Sequence, residues 1–368
     1  MSRIGNLGHR LYAGEVSYDF VERRKRWYAI SAIILLLAVG ALLFRGLNFG
    51  IEFRGGADFS LPKATCSVED ARTTAEEATG AQVIVTETAS GTVRVQTEEL
   101  TAAASSQVAG TLAEACGIPK GEVKVQVVGP TWGEEISKKA LQGLVIFLLL
   151  VTIFLSIYFE WRMALSALVA LAHDLVITVG IYALTGLEVT PATVIGLLTI
   201  LGYSLYDTVV VFDKVKENTR GVTGQSIMTY SESANLAVNQ TLVRSINTSV
   251  VALLPVLAII IVGAGLLGAG TLLDLAVVLA IGMAAGTYSS IFIATPFLVD
   301  LKERQPEMKA LKARVLARRK QGRSAAGAAV GTESASDDDA GVAADASIGR
   351  RTESGPRQQP KRKPRSKR

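Results

Sequence analysis

Six long apolar runs dominate this sequence and constrain its fold more than any other feature. A membrane-spanning helix needs about 20 mostly apolar residues, and each run comes close to that length or exceeds it. The predicted spans are residues 27–44, 141–159, 163–184, 193–212, 242–262 and 272–297. The sequence therefore predicts an α-helical polytopic membrane protein with six transmembrane helices.

Composition supports this class and excludes several others. Hydrophobic residues make up 49% of the 368 residues and charged residues only 19%, below the roughly 25% of soluble domains. That balance excludes a disordered chain, a coiled coil and a collagen-like fibre. Two cysteines and two histidines are too few for a zinc ribbon or an iron–sulfur scaffold. Because no nucleophile–base pair or metal-ligand set is evident, we expect no catalytic residues, no metal and no cofactor.

Basic residues set the predicted orientation. Residues 23–26 are all basic and precede the first span, and the loops after the second and fourth spans carry further Lys and Arg. The opposite loops, residues 185–191 and 263–273, carry none. Cytoplasmic loops are the ones enriched in Lys and Arg. Both termini are therefore expected in the cytoplasm, in a multi-pass protein of the plasma membrane.

Charge and hydropathy divide the chain into five predicted parts. They are a cytoplasmic N-terminal segment (1–26), the first transmembrane helix (27–44), an extracytoplasmic domain (45–137), a bundle of transmembrane helices two to six (138–300) and a basic, largely disordered cytoplasmic tail (301–368). The tail holds 18 basic and 8 acidic residues, a net charge of +10. We expect it to be attracted to anionic membrane lipid. Nucleic-acid binding is not expected, because no folded module accompanies the charges.

The extracytoplasmic domain has the pattern of a small α+β fold. Alternating apolar residues predict strands at 57–61, 81–87, 91–97 and 122–128. A capping-box pattern at Ser67 and Asp70 opens the first predicted helix, which Gly80 ends. A second helix is predicted over residues 100–116. The order β-α-β-β-α-β predicts a ferredoxin-like domain.

The two cysteines both belong to this domain. In the predicted topology the first helix starts and the second helix ends at the same edge of the sheet, so Cys66 and Cys116 lie at one end. The extracytoplasmic space is oxidising, which favours a disulfide. Two buried free thiols are the alternative, and the topology leaves both open.

Ionisable residues within the spans are the main candidates for function, because burying them in lipid is costly. His173 and Asp174 lie near the middle of the third span, Asp207 lies in the fourth, and Arg244 lies near the cytoplasmic start of the fifth. If the fourth and fifth helices are neighbours, Asp207 and Arg244 can meet. A carboxylate whose cationic partner comes and goes can carry a proton. The competing interpretation is that the pair only ties two helices together.

Other residues of the spans are candidates for support or packing. The candidate supporting polar residues are Tyr203, Ser204, Tyr206, Thr208 and Asn247. Gly282 and Gly286 form a small-xxx-small face, which allows close approach of another helix.

At these positions the chain resembles the SecF family of the RND superfamily, over roughly residues 15–300. The residues that carry the resemblance are the glycine-rich motif 47–56, the third-span segment 172–175, the fourth-span segment 202–218 and the segments 244–249 and 286–296. The resemblance implies that Asp207 is the family's intramembrane acid and Arg244 its basic partner. Tyr206 occupies a position where Asn is common, and its hydroxyl is a candidate donor to the acid.

The resemblance also implies a function. Members of this family pair with SecD and use the proton motive force to assist protein export. They act on preproteins that the SecA ATPase has driven through the SecYEG channel, and YajC is a further candidate partner. A proton-coupled exporter of small molecules, or a scaffold that uses no energy, are the alternatives.

Overall fold

The computed structural model describes residues 17–62, 64–87, 91–266 and 272–333. The helices in chain order are α1 (Arg24–Phe44), α2 (Ile51–Arg54), α3 (Val68–Thr79), α4 (Ala102–Ala115), α5 (Pro130–Tyr158), α6 (Trp161–Thr185), α7 (Pro191–Asn218), α8 (Tyr230–Ala258), α9 (Leu273–Ser289), α10 (Thr295–Glu303) and α11 (Pro306–Glu333). The strands are β1 (Asn48–Phe49), β2 (Gly56–Leu61), β3 (Ile84–Glu87), β4 (Val93–Thr97), β5 (Lys124–Val128) and β6 (Glu188–Val189). Two π-helical segments, Ile259–Leu266 and Ser290–Ala294, follow α8 and α9.

Six helical segments are long and apolar enough to cross a membrane, which confirms the six predicted spans. They are Arg24–Phe44, Thr131–Tyr158, Trp161–Thr185, Pro191–Gly224, Tyr230–Val262 and Leu273–Glu303. Several are longer than predicted, because hydropathy detects only the apolar stretch of a helix. The backbone hydrogen bonds continue into polar residues at either end.

Residues 17–26 of the N-terminal segment and residues 301–333 of the tail are more ordered than the sequence pattern indicated. Phe20 and Val21 precede α1 and are buried. Their backbone N–H groups donate to Asn235 Oδ1 on α8, at 2.9 and 3.2 Å. The tail is helical through Glu333, so the prediction of a largely disordered tail is wrong for residues 306–333. Leu311 and Val315, one turn apart, are fully buried and give that helix an anchoring stripe.

Between α1 and α5 lies the sheet domain, residues 56–128. Its elements follow the predicted order β-α-β-β-α-β, and the sheet has the strand order β3-β4-β2-β5 with antiparallel pairing throughout. That order and pairing match the split βαβ arrangement. Phe59, Val95 and Leu112 are fully buried between the sheet and its two helices. Alternation along β2 and β4 therefore leaves the opposite face of the sheet polar.

The first helix of the sheet domain begins and ends at the predicted residues. Ser67 Oγ accepts a hydrogen bond from the Asp70 backbone N–H at 3.1 Å, and Asp70 Oδ2 accepts one from the Ser67 backbone N–H at 3.1 Å. Hydrogen bonds from the side chain and backbone of Ser67 lower the pKa of Asp70. Gly80 ends the helix at φ 70°, a left-handed conformation that glycine adopts without strain.

Cys66 and Cys116 form a disulfide in the structure, with their Cα atoms 4.5 Å apart. The bond joins the start of α3 to the end of α4, and Cys116 is fully buried. Thr65 strengthens the same contact, because its backbone N–H and its hydroxyl both donate to the Cys116 carbonyl. Of the two alternatives that the sequence left open, the structure contains the disulfide.

Replacing both cysteines by alanine is expected to destabilise the sheet domain by about 2–4 kcal/mol, because the disulfide restricts the unfolded chain. The two cysteines are 50 residues apart in sequence. Thermal unfolding of the purified full chain without reductant measures the effect. Adding reductant to the unmodified chain is the control and should lower its stability to that of the variant. Equal unfolding temperatures without reductant would contradict this expectation.

Close helix contacts position the transmembrane bundle. A Cβ atom on Gly282 of α9 would lie only 2.3–2.8 Å from three side-chain atoms of Ile200 on α7. One on Gly286 would lie 2.9 Å from the Ser204 Cβ. Both predicted packing glycines therefore lie directly against α7, and Ser290, just after α9, is within hydrogen-bonding distance of Asp207 on α7.

Candidate intramembrane proton site

Asp174 on α6 is the centre of a buried polar cluster. It is fully buried, and its Oδ2 accepts hydrogen bonds from Ser204 Oγ on α7 at 2.5 Å and from Ser289 Oγ on α9 at 2.8 Å. The carboxylate therefore joins three helices. Gly286 permits this geometry, because a side chain there would displace Ser204.

His173 extends the cluster toward α1. Its Nδ1 lies 3.2 Å from Asp174 Oδ1, and its ring stacks on Tyr288 with centroids 6.1 Å apart. The Tyr288 hydroxyl lies 3.0 Å from Ser31 Oγ on α1. His173 Nε2 is buried and has no hydrogen-bond partner among the described residues. His173 therefore links the carboxylate of Asp174 to Tyr288 and, through it, to α1.

Asp207 forms a second buried site one turn along α7 from Ser204. Only 4% of Asp207 is exposed, and its Oδ2 accepts a hydrogen bond from Ser290 Oγ at 2.5 Å. Ser290 begins the π-helical segment that follows α9, and such segments are frequent at functional sites. Because α9 ends there, the consecutive residues Ser289 and Ser290 reach two different carboxylates.

The structure does not bring Asp207 and Arg244 together. Arg244 is exposed on α8, and within the described ranges no ion pair joins it to Asp207. The physical reason is the rotation of α8. Its next residue, Ser245, is buried, and Ser249, one turn further, accepts a hydrogen bond from the Tyr203 hydroxyl at 3.2 Å. Successive residues of a helix point about 100° apart, so Arg244 faces away from this side.

The predicted supporting residues divide into two groups. Ser204 and Thr208 on α7 are buried, and Ser204 binds Asp174 of α6, while Tyr203 binds Ser249. Tyr206 is 51% exposed, so the suggestion that its hydroxyl donates to Asp207 is not supported. Asn247 is also exposed and lies outside the cluster.

Sequence reasoning did not single out Tyr288, Ser289, Ser290 and Ser31 as members of the site. The available signal was four consecutive polar residues inside an otherwise apolar span, residues 287–290. Isolated hydroxyls are common in membrane helices, because they bind their own backbone, so the signal alone did not indicate a carboxylate partner.

The arrangement suits the movement of protons better than other chemistry. Two carboxylates, one imidazole and three serine hydroxyls lie within one bundle, and buried groups of this kind mark ion and proton pathways in membranes. Among the described residues, no group of three or more His, Cys, Asp or Glu side chains is arranged to hold a metal ion. The hydroxyls can donate to a charged carboxylate and reorient when it is protonated.

Comparison with protein families gives two matches. The family model "Protein export membrane protein SecD/SecF, C-terminal" matches residues 109–304, and "SecD/SecF GG Motif" matches residues 40–57. The first match covers α5 to α10 and includes Asp174, Asp207 and Ser290. The second ends at the start of the sheet domain.

Curated relatives cover nearly the whole chain. A protein translocase subunit SecF of Streptomyces coelicolor is 54% identical over 361 residues, which are 98% of this chain and 96% of that protein. A protein translocase subunit SecF of Mycobacterium tuberculosis is 46% identical over 349 residues, covering 90% of this chain and 78% of that protein.

A solved structure has the same fold. The crystal structure of SecDF, a translocon-associated membrane protein from Thermus thermophilus, superposes with a TM-score of 0.70 at 29% identity. The match covers 83% of this chain but only 40% of that longer chain.

Proposed function

The chain belongs to the SecD/SecF family of protein export membrane proteins, and we propose that it works as a SecF-type accessory subunit of a Sec protein translocase. In this proposal it pairs with SecD in the plasma membrane, with both termini in the cytoplasm. It acts on preproteins that SecA has driven through SecYEG, and YajC is a candidate further partner. The extent of the match to translocase subunits supports this assignment, since 98% of the chain is covered.

We further propose that the export step uses the proton motive force through Asp207 and Asp174. The observation that carries this proposal is the pair of buried carboxylates, each bound by serine hydroxyls from α9 or its π-helical extension. Protonation removes the charge that those hydroxyls solvate. Ser289 and Ser290 then lose their strongest acceptors, and the end of α9 is free to shift against α7.

Arg244 is left out of this relay within the chain. Its side chain is exposed on α8, so it faces lipid or another subunit. The revised proposal therefore assigns proton carriage to the cluster of Asp174, His173, Ser204, Ser289, Ser290 and Asp207. A role for Arg244 would require a partner subunit that brings a carboxylate to it.

Export into inverted membrane vesicles tests the proposal. Vesicles with and without this chain are supplied with SecA, ATP and a secretory preprotein, in the presence or absence of a protonophore. We expect the chain to raise the export rate, and we expect the protonophore to remove that increase. An increase that survives the protonophore would instead indicate a scaffold that uses no energy. No increase in any condition would contradict a role in export.

A further inference from the structure

The polar face of the sheet lies against the loop that joins α6 to α7. Asp58 on β2 pairs in register with Gln96 on β4 and Gln126 on β5, so all three side chains point to this face, away from the two helices of the domain. The loop carries β6, which pairs in parallel with β1, with Asn48 opposite Glu188. The sheet domain is thus seated on a base formed by β1, β6 and α2.

Arg94 on β4 makes the central contact between the sheet and this base. Its Nη2 donates to Asp58 Oδ2 at 2.5 Å, and its Nη1 donates to Glu188 Oε2 at 2.9 Å. Gln96 Nε2 donates to Glu188 Oε1 at 2.7 Å. The side chains of Asp58 and Glu188 are only 7% and 14% exposed. Arg94 therefore bridges a residue of its own sheet and a residue of the transmembrane part.

The base brings more negative charge to this contact than Arg94 balances. Glu52 on α2 accepts a hydrogen bond from Gln126 Nε2 at 3.3 Å, and its Oε2 is buried without a hydrogen-bond partner among the described residues. The carboxylates of Glu52 and Glu188 are neighbours, because both lie within 3 Å of where a Cβ on Gly50 would be.

Among the described residues, the other charged groups around the contact do not balance the excess. Asp274, at the start of α9, adds a fourth carboxylate that interacts with Glu188 and Arg94. Lys124, across Ser60 from Arg94 on the same face, is exposed. Arg54 at the end of α2 is exposed, and Arg45 donates to the Leu184 carbonyl. Four carboxylates therefore face one partly buried guanidinium.

Burial and the neighbouring charges together raise the pKa of Glu52 and the pKa of Arg94. Burial, with the charges of Glu188 and Asp58, raises the pKa of Glu52. Burial alone would lower the pKa of Arg94, but the charges of Asp58 and Glu188 raise it above its usual value. Arg94 stays charged, and a proton on Glu52 removes part of the excess negative charge at this contact.

We propose that Arg94, Asp58, Glu188 and Glu52 form a proton-sensitive latch that docks the sheet domain on the base of the transmembrane bundle. Arg94 is the positioning residue of the latch. Its use in export rests on the proposed function, in which the export step uses the proton motive force.

The sign of the pH dependence follows from the charges. Docking gathers the carboxylates, so the docked state binds a proton at Glu52 more tightly than the undocked state does. Docking is therefore favoured as the pH falls through the raised pKa of Glu52, and it is weakened as the pH rises. Each proton taken up changes the docked-to-undocked ratio by at most about tenfold per pH unit. In the proposed orientation this face lies on the acidic side of an energised membrane, so the gradient closes the latch.

Distance measurements between spin labels on the full chain in lipid nanodiscs test the latch. The labels are placed on Glu122→Cys in the sheet domain and Leu187→Cys beside β6, both exposed positions. The native cysteines are bonded to each other and do not react. We expect a single short distance at about pH 5 and an added longer distance at about pH 8. One unchanged distribution over that range would overturn the proposal.

Variants separate a latch from a merely structural contact. Glu52→Gln should make the docked fraction nearly independent of pH. Arg94→Gln should leave the sheet domain docked only near the lowest pH measured. Arg94→Lys keeps the positive charge and should partly restore docking at higher pH. Arg72→Gln, which removes an exposed ion pair with Glu69 on α3, should leave the profile unchanged. If Arg94→Gln fails to fold, Glu52→Gln decides alone, and a profile as steep as that of the parent chain refutes the latch.

The outcome is independent of the proposed function. A pH-dependent distance with export that ignores the protonophore would keep the latch and refute the proposed use of the proton motive force. Export that depends on the proton gradient, with a label distance that does not change with pH, would refute the latch and keep the proposed function.

Discussion

Asp207→Asn is expected to abolish the part of preprotein export that depends on the proton gradient. Asparagine keeps the shape of the side chain and still accepts a hydrogen bond from Ser290, so the fold and the binding of SecD should persist. It cannot take up and release a proton. One proton crossing about 100 mV supplies about 2.3 kcal/mol, which corresponds to a roughly fiftyfold bias. Export rates in vesicles should therefore fall by up to that factor, to the level seen with protonophore.

Two further substitutions make this result interpretable. Asp213→Asn removes an exposed carboxylate from the same helix and should leave export unchanged. Asp174→Asn should behave like Asp207→Asn if both carboxylates belong to one relay. A structural role for Asp207 predicts a different pattern, in which its substitution lowers the yield of the SecD complex. If export with Asp207→Asn still responds fully to the gradient, the relay has no proton carrier at this position.

Gly282→Ala is expected to destabilise the transmembrane bundle by about 1–3 kcal/mol, the usual cost of overpacking. The new methyl group would lie 2.3, 2.4 and 2.8 Å from Cδ1, Cγ2 and Cγ1 of Ile200. The contacts with Cγ2 and Cγ1 are not both relieved by rotation of Ile200 about χ1, because both carbons are attached to its Cβ. β-Branched side chains are also stiff in helices. Thermal unfolding of the purified chain in detergent measures the effect.

Two matched variants test whether the contact with Ile200 causes the loss of stability. Gly202→Ala, on α7, meets no atom within 4 Å, so the ordinary gain of about 0.5–1 kcal/mol on replacing a helical glycine should appear there. Ile200→Ala alone destabilises the chain, because Ile200 is buried. In that background Gly282→Ala should become stabilising, since the clashing atoms are gone. A parent-like unfolding temperature for Gly282→Ala alone would mean that α7 and α9 do not pack this closely.

The sheet domain was the part most accessible from sequence. The capping box at Ser67 and Asp70, the left-handed Gly80 and the alternation along β2 and β4 are local signals, and each strand and helix lies within a few residues of its predicted position. In the structure, the same alternation gives the sheet a polar face. It did not reveal that Arg94 on this face is bound by Glu188, because that partner lies 94 residues further along the chain.

In the candidate proton site, the sequence identified several of the residues but not the contacts between them. Asp174, Asp207, His173 and Ser204 were identified, because charge or polarity inside a span is costly wherever the helix lies. Their partners were not. Pairing Asp207 with Arg244 assumed a rotation of α8, and rotation depends on which small residues allow which neighbours to approach. Ser290 reaches Asp207 from the start of a π-helical segment, which helical periodicity does not predict.

The sequence alone determined how many times the chain crosses the membrane and in what order the sheet domain is built, because run length and alternation depend only on neighbours along the chain. Only the tertiary structure decided which polar side chains meet. Asp174 with Ser289, Asp207 with Ser290 and Arg94 with Glu188 are contacts between distant segments, and their geometry is set by how closely the helices pack and how each is turned about its axis.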